Sequence, residues 1–332
     1  MPQRLPSSLL PLLRCLADGR FHSGEVLAER LAMSRANVCN LLHQAESLGL
    51  AIHALRGRGY RLAHAADWLD ADRVRGALGA RAAHFTLRIV DSVDSTNRAL
   101  LDAAQRGAPD GTVLAAEHQF AGRGRRGRAW QSALGGSLAF SVLWRFDAGI
   151  AALGGLSLAA GLAVARAVNR HSRHPAGLKW PNDVLVGHRK LAGILVEVQG
   201  DSEGPSLAVV GIGLNVRLPP AQREAIDQAV VDLAEMGVTC GRNTLLAACL
   251  AELHDVVVRL RRDGFRALRA EWEAHHAHAG APVTLTLPDA RTLHGIAAGV
   301  DERGAFLLTD DSGVTRAFHG GEISLRPRRR QP

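Results

Sequence analysis

Leu138-Ala139-Phe140-Ser141-Val142-Leu143-Trp144-Arg145-Phe146 is the stretch that decides the fold. Successive side chains of an extended chain point to opposite sides, so Leu138, Phe140, Val142, Trp144 and Phe146 share one face. Residues 87–90, 194–199 and 207–216 also read as strands. Helices are expected over 97–106, 151–170, 221–236 and 242–264. Strands interspersed with helices make an α/β sheet domain, which we place at residues 66–275. No strand–GxxxxGK[ST]–helix and no G-x-G-x-x-G followed by an acidic residue occurs, so neither a P-loop nor a dinucleotide fold is supported.

The flanks differ from this centre. Residues 1–65 hold three short helical stretches. Ser23 and Ser34 stand where caps belong, before helices at 25–31 and from 35 to Gly49. Two extended runs follow, 50–55 and 60–62, around the turn Arg56-Gly57-Arg58-Gly59. Two helices joined tightly and followed by such a hairpin form a winged helix-turn-helix. Residues 276–332 carry short alternating runs at 283–287, 292–296, 305–309, 314–318 and 322–325, separated by Pro, Gly and Asp turns. That spacing predicts a small all-β barrel. His275-His276-Ala277-His278 reads as a polar linker between the last two domains, and the arginine-rich end as a solvated tail.

The whole chain of 332 residues has a formal charge of +8. Residues 1–65 contribute eight arginines against Asp18, Glu25, Glu29 and Glu46 (8 − 4 = +4), so half the excess lies there. Basic surfaces of this kind favour anionic partners. Cys15, Cys39, Cys240 and Cys249 form no C-x-x-C pair, which points to free thiols and a cytoplasmic protein. Residues 148–164 are uncharged, but their four glycines and close flanking charges indicate a buried core helix and no membrane association.

Of the 40 Lys+Arg residues only Lys179 and Lys190 are lysine (40 − 2 = 38 arginines). Both flank one polar stretch, Lys179-Trp180-Pro181-Asn182-Asp183 … Lys190-Leu191-Ala192-Gly193. A compact ammonium differs physically from a planar guanidinium, so lysine is required here. Gly122-Arg123-Gly124-Arg125-Arg126-Gly127-Arg128-Ala129-Trp130 is the strongest local signal. Four mutually repelling arginines with three glycines favour a loop that orders around an anion, the forks on phosphates and glycine amides as a nest. An RGG-like nucleic-acid segment and a solvated basic loop are the other readings. Asp94-Ser95-Thr96-Asn97 opens a helix, where Ser95 and Thr96 either cap it or hold a polar ligand group. Gln119 offers both a donor and an acceptor. His118 reads as a packed or exposed histidine rather than a catalyst. Gly211-Ile212-Gly213-Leu214-Asn215 permits close approach to a strand, and the Asn amide matches an adenine edge.

Taken in order, these segments together with Gly320-Gly321-Glu322-Ile323-Ser324-Leu325 resemble bacterial biotin protein ligases. The N-terminal domain matches the bifunctional kind, which also represses the biotin operon. The resemblance implies a winged helix-turn-helix (1–65), a class II aminoacyl-tRNA-synthetase-like α/β domain (66–275) and a C-terminal SH3-like β-barrel (276–332). It implies synthesis of biotinyl-5′-AMP from biotin and ATP with Mg²⁺, then transfer to a lysine of the biotin carboxyl carrier protein. Lys190, Arg125 and Asp183 would be catalytic, with Asp183 the candidate Mg²⁺ ligand. Ser95, Thr96, Asn97, Gln119, Gly122, Arg123 and Lys190 would hold biotin. Arg125, Arg128, Trp130, Lys179, Asn182 and Asn215 would hold ATP and the adenylate. Ser34, Arg35, Asn37, Arg56 and Arg58 would face operator DNA, bound by a ligand-promoted homodimer. Val38-Cys39-Asn40-Leu41-Leu42 is less polar and basic than the family's recognition helix. Two further expectations compete: a winged-helix regulator that senses a ligand without ligating it, and a ligase for another carboxylate such as lipoate.

Overall fold

A computed structural model describes residues 4–287 and 291–319, and the backbone of Ser324–Pro327. Gly320–Ile323 of the family-like C-terminal motif and the tail beyond 327 lie outside the described residues.

The N-terminal domain comprises α1 (Leu9–Cys15), α2 (Gly24–Arg30), α3 (Arg35–Ser47) and the hairpin β1 (Ile52–Leu55) with β2 (Gly59–Leu62). Both expected caps form. Ser23 Oγ accepts from Val26 N and Ser34 Oγ from Asn37 N, each at 3.1 Å. Leu9, Leu13, Val38 and Leu42 pack a small core. His22 pairs with Tyr60, adding the α1–α2 turn to the wing as a third extended segment.

The central domain begins with α4 (Ala71–Leu78). Its seven-stranded sheet contains β3 (Thr86–Val93), β4 (Thr112–Gln119), β5 (Ser137–Phe146), β6 (Gly177–Lys179), β7 (Asp183–Val186), β8 (Arg189–Gly200) and β9 (Ser206–Asn215), in the order β3-β4-β5-β9-β8-β7-β6. Only β3 and β4 run parallel, joined by α5 (Thr96–Gln105). Leu138, Phe140, Val142 and Trp144 of β5 enter the main core together with α6 (Leu156–Asn169) and α8 (Arg242–Asp263). The apolar stretch Ile150–Asn169 is long enough to cross a membrane by composition, yet most of it is buried inside the protein.

Some sequence expectations are corrected. The helix expected at 151–170 starts only at Leu156, because Gly155 adopts a positive φ of 79° against Phe265. The helix expected over 221–236 is only α7 (Pro220–Ala225). Beyond it Asp232 accepts from Leu218 N and Glu235 N, and such side-chain bonds compete with helix propagation. The helix α9 (Arg266–Ala274) has no counterpart in the sequence reading. His276 and His278 are buried rather than solvated, at 7% and 5% exposure, with His276 tilted against Trp272 and edge-on to Phe306. The supposed linker is therefore a packed joint.

The C-terminal sheet comprises β10 (Pro282–Thr286), β11 (Thr292–Val300), β12 (Phe306–Thr309), β13 (Thr315–Phe318) and β14 (Ser324–Pro327), ordered β13-β12-β11-β10-β14 and antiparallel throughout. It docks beneath the polar turn of the central domain: Trp180, 1% exposed, donates its indole N–H to Gly304 O at 3.0 Å.

The winged domain is fastened just as firmly. Trp68 and Leu134 of the central domain enter its core, and Trp68 Nε1 donates to Leu13 O. Behind Trp68 a buried ion pair, Arg242–Glu117 at 2.7 Å, anchors the 67–69 segment, with Glu117 also accepting from Leu69 N and Arg242 donating to Asp67 O and Ser137 O.

Candidate active site and DNA-facing surface

The centre of the sheet is hollowed by glycine. A Cβ at Gly211 would come well under 3.0 Å from the Asn97 side chain, and one at Gly213 equally close to the Trp130 ring. Over this floor lies a cavity of about 930 Å³, within the upper part of the range usual for ligand pockets.

One wall is the start of α5. Ser95 makes no capping bond through its side chain, so the capping role is not what it performs. Thr96 donates through N and Oγ1 to Gln119 Oε1, at 2.8 and 3.0 Å. Ser141 Oγ donates to Asn97 Oδ1 at 2.6 Å and sits 2.7 Å from Thr96 Oγ1. Asn97 Nδ2 donates to Leu195 O and Glu197 Oε2, and Glu197 pairs with Arg123 at 2.9 Å. A continuous polar chain thus runs from the buried end of α5 to the arginine loop. Ser141 and Glu197 escaped the sequence reading. A lone serine inside an otherwise apolar strand was the available signal for the first, and the structure buries it completely.

The arginine loop is itself folded. Trp130 N donates to Gly122 O and Gly124 N to Arg128 O, so residues 122–130 form a narrow hairpin. Gly122 is needed because any Cβ would strike Trp130 O. Arg125 Nη1 donates to Asn182 Oδ1 at 3.3 Å. Burial, then the charges of Arg126 and Arg128, lower the Arg125 pKa against the attraction of Asp183. Crowded guanidiniums in a cleft are a standing electrostatic cost that a bound anion relieves. Trp130 lies across Gly193 and Gly213, and its indole N–H is buried without a partner.

The opposite wall is the 179–183 turn. Asp183 Oδ1 meets Lys190 Nζ at 2.7 Å, both side chains about one-sixth exposed (15% and 16%). Asn182 is clamped to Ile194 by bonds in both directions, Nδ2 to O and Ile194 N to Asn182 O. Ser157 Oγ donates to Pro181 O. Lys179 lines the same cavity, and with His188 it adds to the burial that lowers the His278 pKa. Asn215 is buried, its Nδ2 donating to Lys190 O and Val231 O.

Every expected biotin or nucleotide residue except Gly122 lines this one cavity; Gly122 faces the rear of the loop, toward the winged domain. The cavity also takes Ala225, at the end of α7, and Ile226, Asp227, Gln228 and Val230 from the non-helical segment beyond it. Lys190 N donates to Ala229 O and Val231 N to Lys190 O, so that segment is strapped to the backbone of Lys190. His118 is buried away from solvent with its pKa lowered by desolvation, as a packed histidine.

The expected DNA-facing residues gather on the winged domain. Ser34 caps α3, and Arg35 pairs with Glu25 at 3.0 Å. Asn37, Asn40 and His43 are exposed along α3, while Val38, Leu41 and Leu42 face the core. The nonpolar positions that depart from the family pattern are thus core positions. Arg56 and Arg58 are exposed on the wing.

Sequence profiles agree with this layout. An HTH domain profile matches residues 9–61, that of the Biotin/lipoate A/B protein ligase family matches 89–215, and that of the Biotin protein ligase C terminal domain matches 278–326. The chain is 38% identical to the Bifunctional ligase/repressor BirA of Salmonella typhimurium over 96% of its own length and 97% of the relative's. It is also 38% identical to the Biotin--[acetyl-CoA-carboxylase] ligase of Mycobacterium tuberculosis, over 77% of this chain and 95% of that one. Among solved structures it resembles the biotin protein ligase from Aquifex aeolicus in complex with biotin and ATP, with a TM-score of 0.62 and 30% identity. That match covers 73% of this chain and 99% of the other.

Proposed function

The chain belongs to the biotin protein ligases of the bifunctional ligase/repressor kind, and on that premise we propose how its site makes and transfers an activated biotin. The observation that carries the reading is the meeting of Lys190, Asp183 and the arginine hairpin over a glycine floor. Two anions, a carboxylate and a triphosphate, must come together there, and fixed cations aimed at the reacting oxygens lower that barrier. A biotin carboxylate oxygen attacks the α-phosphorus, and pyrophosphate leaves. Lys190 turns from Asp183 to the carboxylate and α-phosphate, while Arg125 and Arg128 take the other phosphates. Ser95, Thr96, Gln119 and Arg123 hold biotin's polar ring, with Gly122 allowing the loop to approach. Asn97 braces Arg123 through Glu197. Trp130 and Asn215 receive the adenine, and Lys179 and Asn182 flank the nucleotide.

Among the described residues no three His, Cys, Asp or Glu side chains gather as a metal site. Two carboxylates, Asp183 and Asp227, line the cavity that would take the phosphates. This suits Mg²⁺, which is usually carried by phosphates and water with one or two protein carboxylates, and which supplies charge neutralisation there. In the second half-reaction the carrier lysine amine attacks the acyl carbon, AMP leaves, and Asp183, released from Lys190, takes the amine proton. The acceptor is a biotin carboxyl carrier protein.

The exposed α3 face and wing support operator binding, and we place two such domains on DNA as a homodimer promoted by biotinyl-5′-AMP. The cysteines are free thiols, in keeping with a cytoplasmic location. The test is biotin-dependent exchange of pyrophosphate into ATP. Exchange with biotin and not with lipoate is expected. Binding of biotin without exchange would favour a ligand-sensing regulator.

A further inference from the structure

We propose that Asp227 is the carboxylate that receives the acceptor's lysine ammonium where the cavity opens, and that it thereby selects a cationic amine for the second half-reaction. This rests on the ligase reading above and adds to it a residue that the transfer step uses.

Asp227 is placed by the segment that follows α7. Gln228 N donates to Ile226 O at 2.8 Å, which closes a three-residue turn with Asp227 at its tip. Two residues on, Ala229 O accepts from Lys190 N, and Val230 lies beside Lys190 in a parallel bridge. The turn is thereby tied to the strand that carries Lys190. Asp227 is exposed and lines the cavity at the same time, so it stands where the cavity meets solvent.

The charge of the cavity gives such a group a task. Among the described residues Arg123, Arg125, Arg126, Arg128, Lys179 and Lys190 line it, against the carboxylates of Asp183 and Asp227. Glu197, behind Arg123, answers one more of the cations. This surplus suits a triphosphate. Once pyrophosphate has left, biotinyl-5′-AMP retains a single negative charge, and the remaining cations repel an incoming lysine, which water keeps protonated at neutral pH. Asp183 cannot meet that lysine at the entrance, since it is only 15% exposed and engaged by Lys190 at 2.7 Å. Asp232 and Glu235, the acids that follow in the same segment, are bound to Arg223. The Asp227 side chain makes no hydrogen bond or ion pair among the described residues.

The acceptor ammonium first pairs with Asp227. Closer to Lys190 and Arg125, like charges disfavour its protonated form, and one proton leaves to water by way of the exposed carboxylate. The neutral amine then attacks the acyl carbon of biotinyl-5′-AMP. The C–N bond forms, the bond from the acyl carbon to the phosphate oxygen breaks, and AMP leaves with that oxygen and the bonding electrons. The second proton on nitrogen passes to Asp183. One ammonium and one adenylate monoanion thus give a neutral amide, AMP as a dianion and two protons.

The test uses the full chain loaded with biotin and ATP. It follows single-turnover discharge of biotinyl-5′-AMP to two small acceptors: ethylamine, which is cationic at neutral pH, and hydroxylamine, which is largely uncharged there. Asp227→Asn should slow discharge to ethylamine about fivefold relative to hydroxylamine, the worth of one exposed charge pair. The gap should close as added KCl screens that pair. Asp227→Glu should restore the wild-type ratio. An unchanged ratio in Asp227→Asn would overturn the assignment, and a matching fall in pyrophosphate exchange would give Asp227 to the nucleotide or its Mg²⁺ instead. Failure of the wild-type chain to exchange pyrophosphate would sink the ligase reading, and the assignment with it.

Discussion

Gly211→Ala adds one methyl group at the most crowded point under the cavity. Gly211 lies in β9 between Ser141 of β5 and Leu195 of β8. Its φ is not among the positive ones, so alanine fits the backbone and only the space is contested. The new Cβ would fall well under 3.0 Å from Asn97 Oδ1. Asn97 cannot yield freely, because its amide is bonded to Ser141 Oγ, Leu195 O and Glu197 Oε2. Displacing it breaks up to three buried hydrogen bonds, each worth about 1 kcal/mol net. A loss of about 2–3 kcal/mol is expected, visible as a lower urea midpoint for the central domain. Glu197 also seats Arg123, so biotin affinity should fall about tenfold or more, the equivalent of about 1.4 kcal/mol. Gly76→Ala is the control: exposed in α4 with nothing near its Cβ, it should stabilise by about 0.5–1 kcal/mol. A Gly211→Ala protein with the wild-type midpoint and biotin Kd would refute the argument that this glycine is required by Asn97.

Three other perturbations separate the parts of the account. Lys190→Met should cut single-turnover adenylate formation about 10²–10³-fold, with the fold retained, since a single preorganised donor is worth that much; turnover within threefold of wild type would remove Lys190 from the reaction. Glu117→Leu strands the buried Arg242 guanidinium and should cost about 3–5 kcal/mol, whereas Glu117→Leu with Arg242→Met should recover most of it. Equal unfolding midpoints for the single and double variants would contradict that. Burial pushes His276 down to about 4 from 6.5, helped by His278 and opposed by Glu273. The folded state therefore disfavours the proton that the unfolded chain binds. This contribution is present in full above pH 6.5 and is lost as pH falls toward 4, up to about 3 kcal/mol. His276→Phe should flatten that part of the pH–stability curve, and an unchanged acid limb would show that the joint does not titrate.

Much of this was legible because strong local chemistry coincides with tertiary position. The alternation over 138–146 and the serine caps at Ser23 and Ser34 point to the same structure that packing selects. The cavity residues could be named because glycine, lysine and arginine occur there in patterns that neither core nor ordinary surface requires. What stayed hidden depends on distant partners. Glu197 reads as a surface acid until Asn97 and Arg123 converge on it. The segment after α7 looks helical until Asp232 takes its amides and Lys190 pairs with its backbone. His276 and His278 look polar until Trp272 and Phe306 close around them. The third extended segment beside the wing depends on the His22–Tyr60 pairing, which no periodicity reveals.

The claim on which the rest depends is that the guanidinium hairpin closes over biotin and nucleotide together. Hydrogen exchange of amides 122–130 measures this directly. With biotin and ATP present, the account predicts markedly slower exchange there than in the unliganded chain, and a smaller effect with biotin alone. Identical exchange in all three conditions would contradict it.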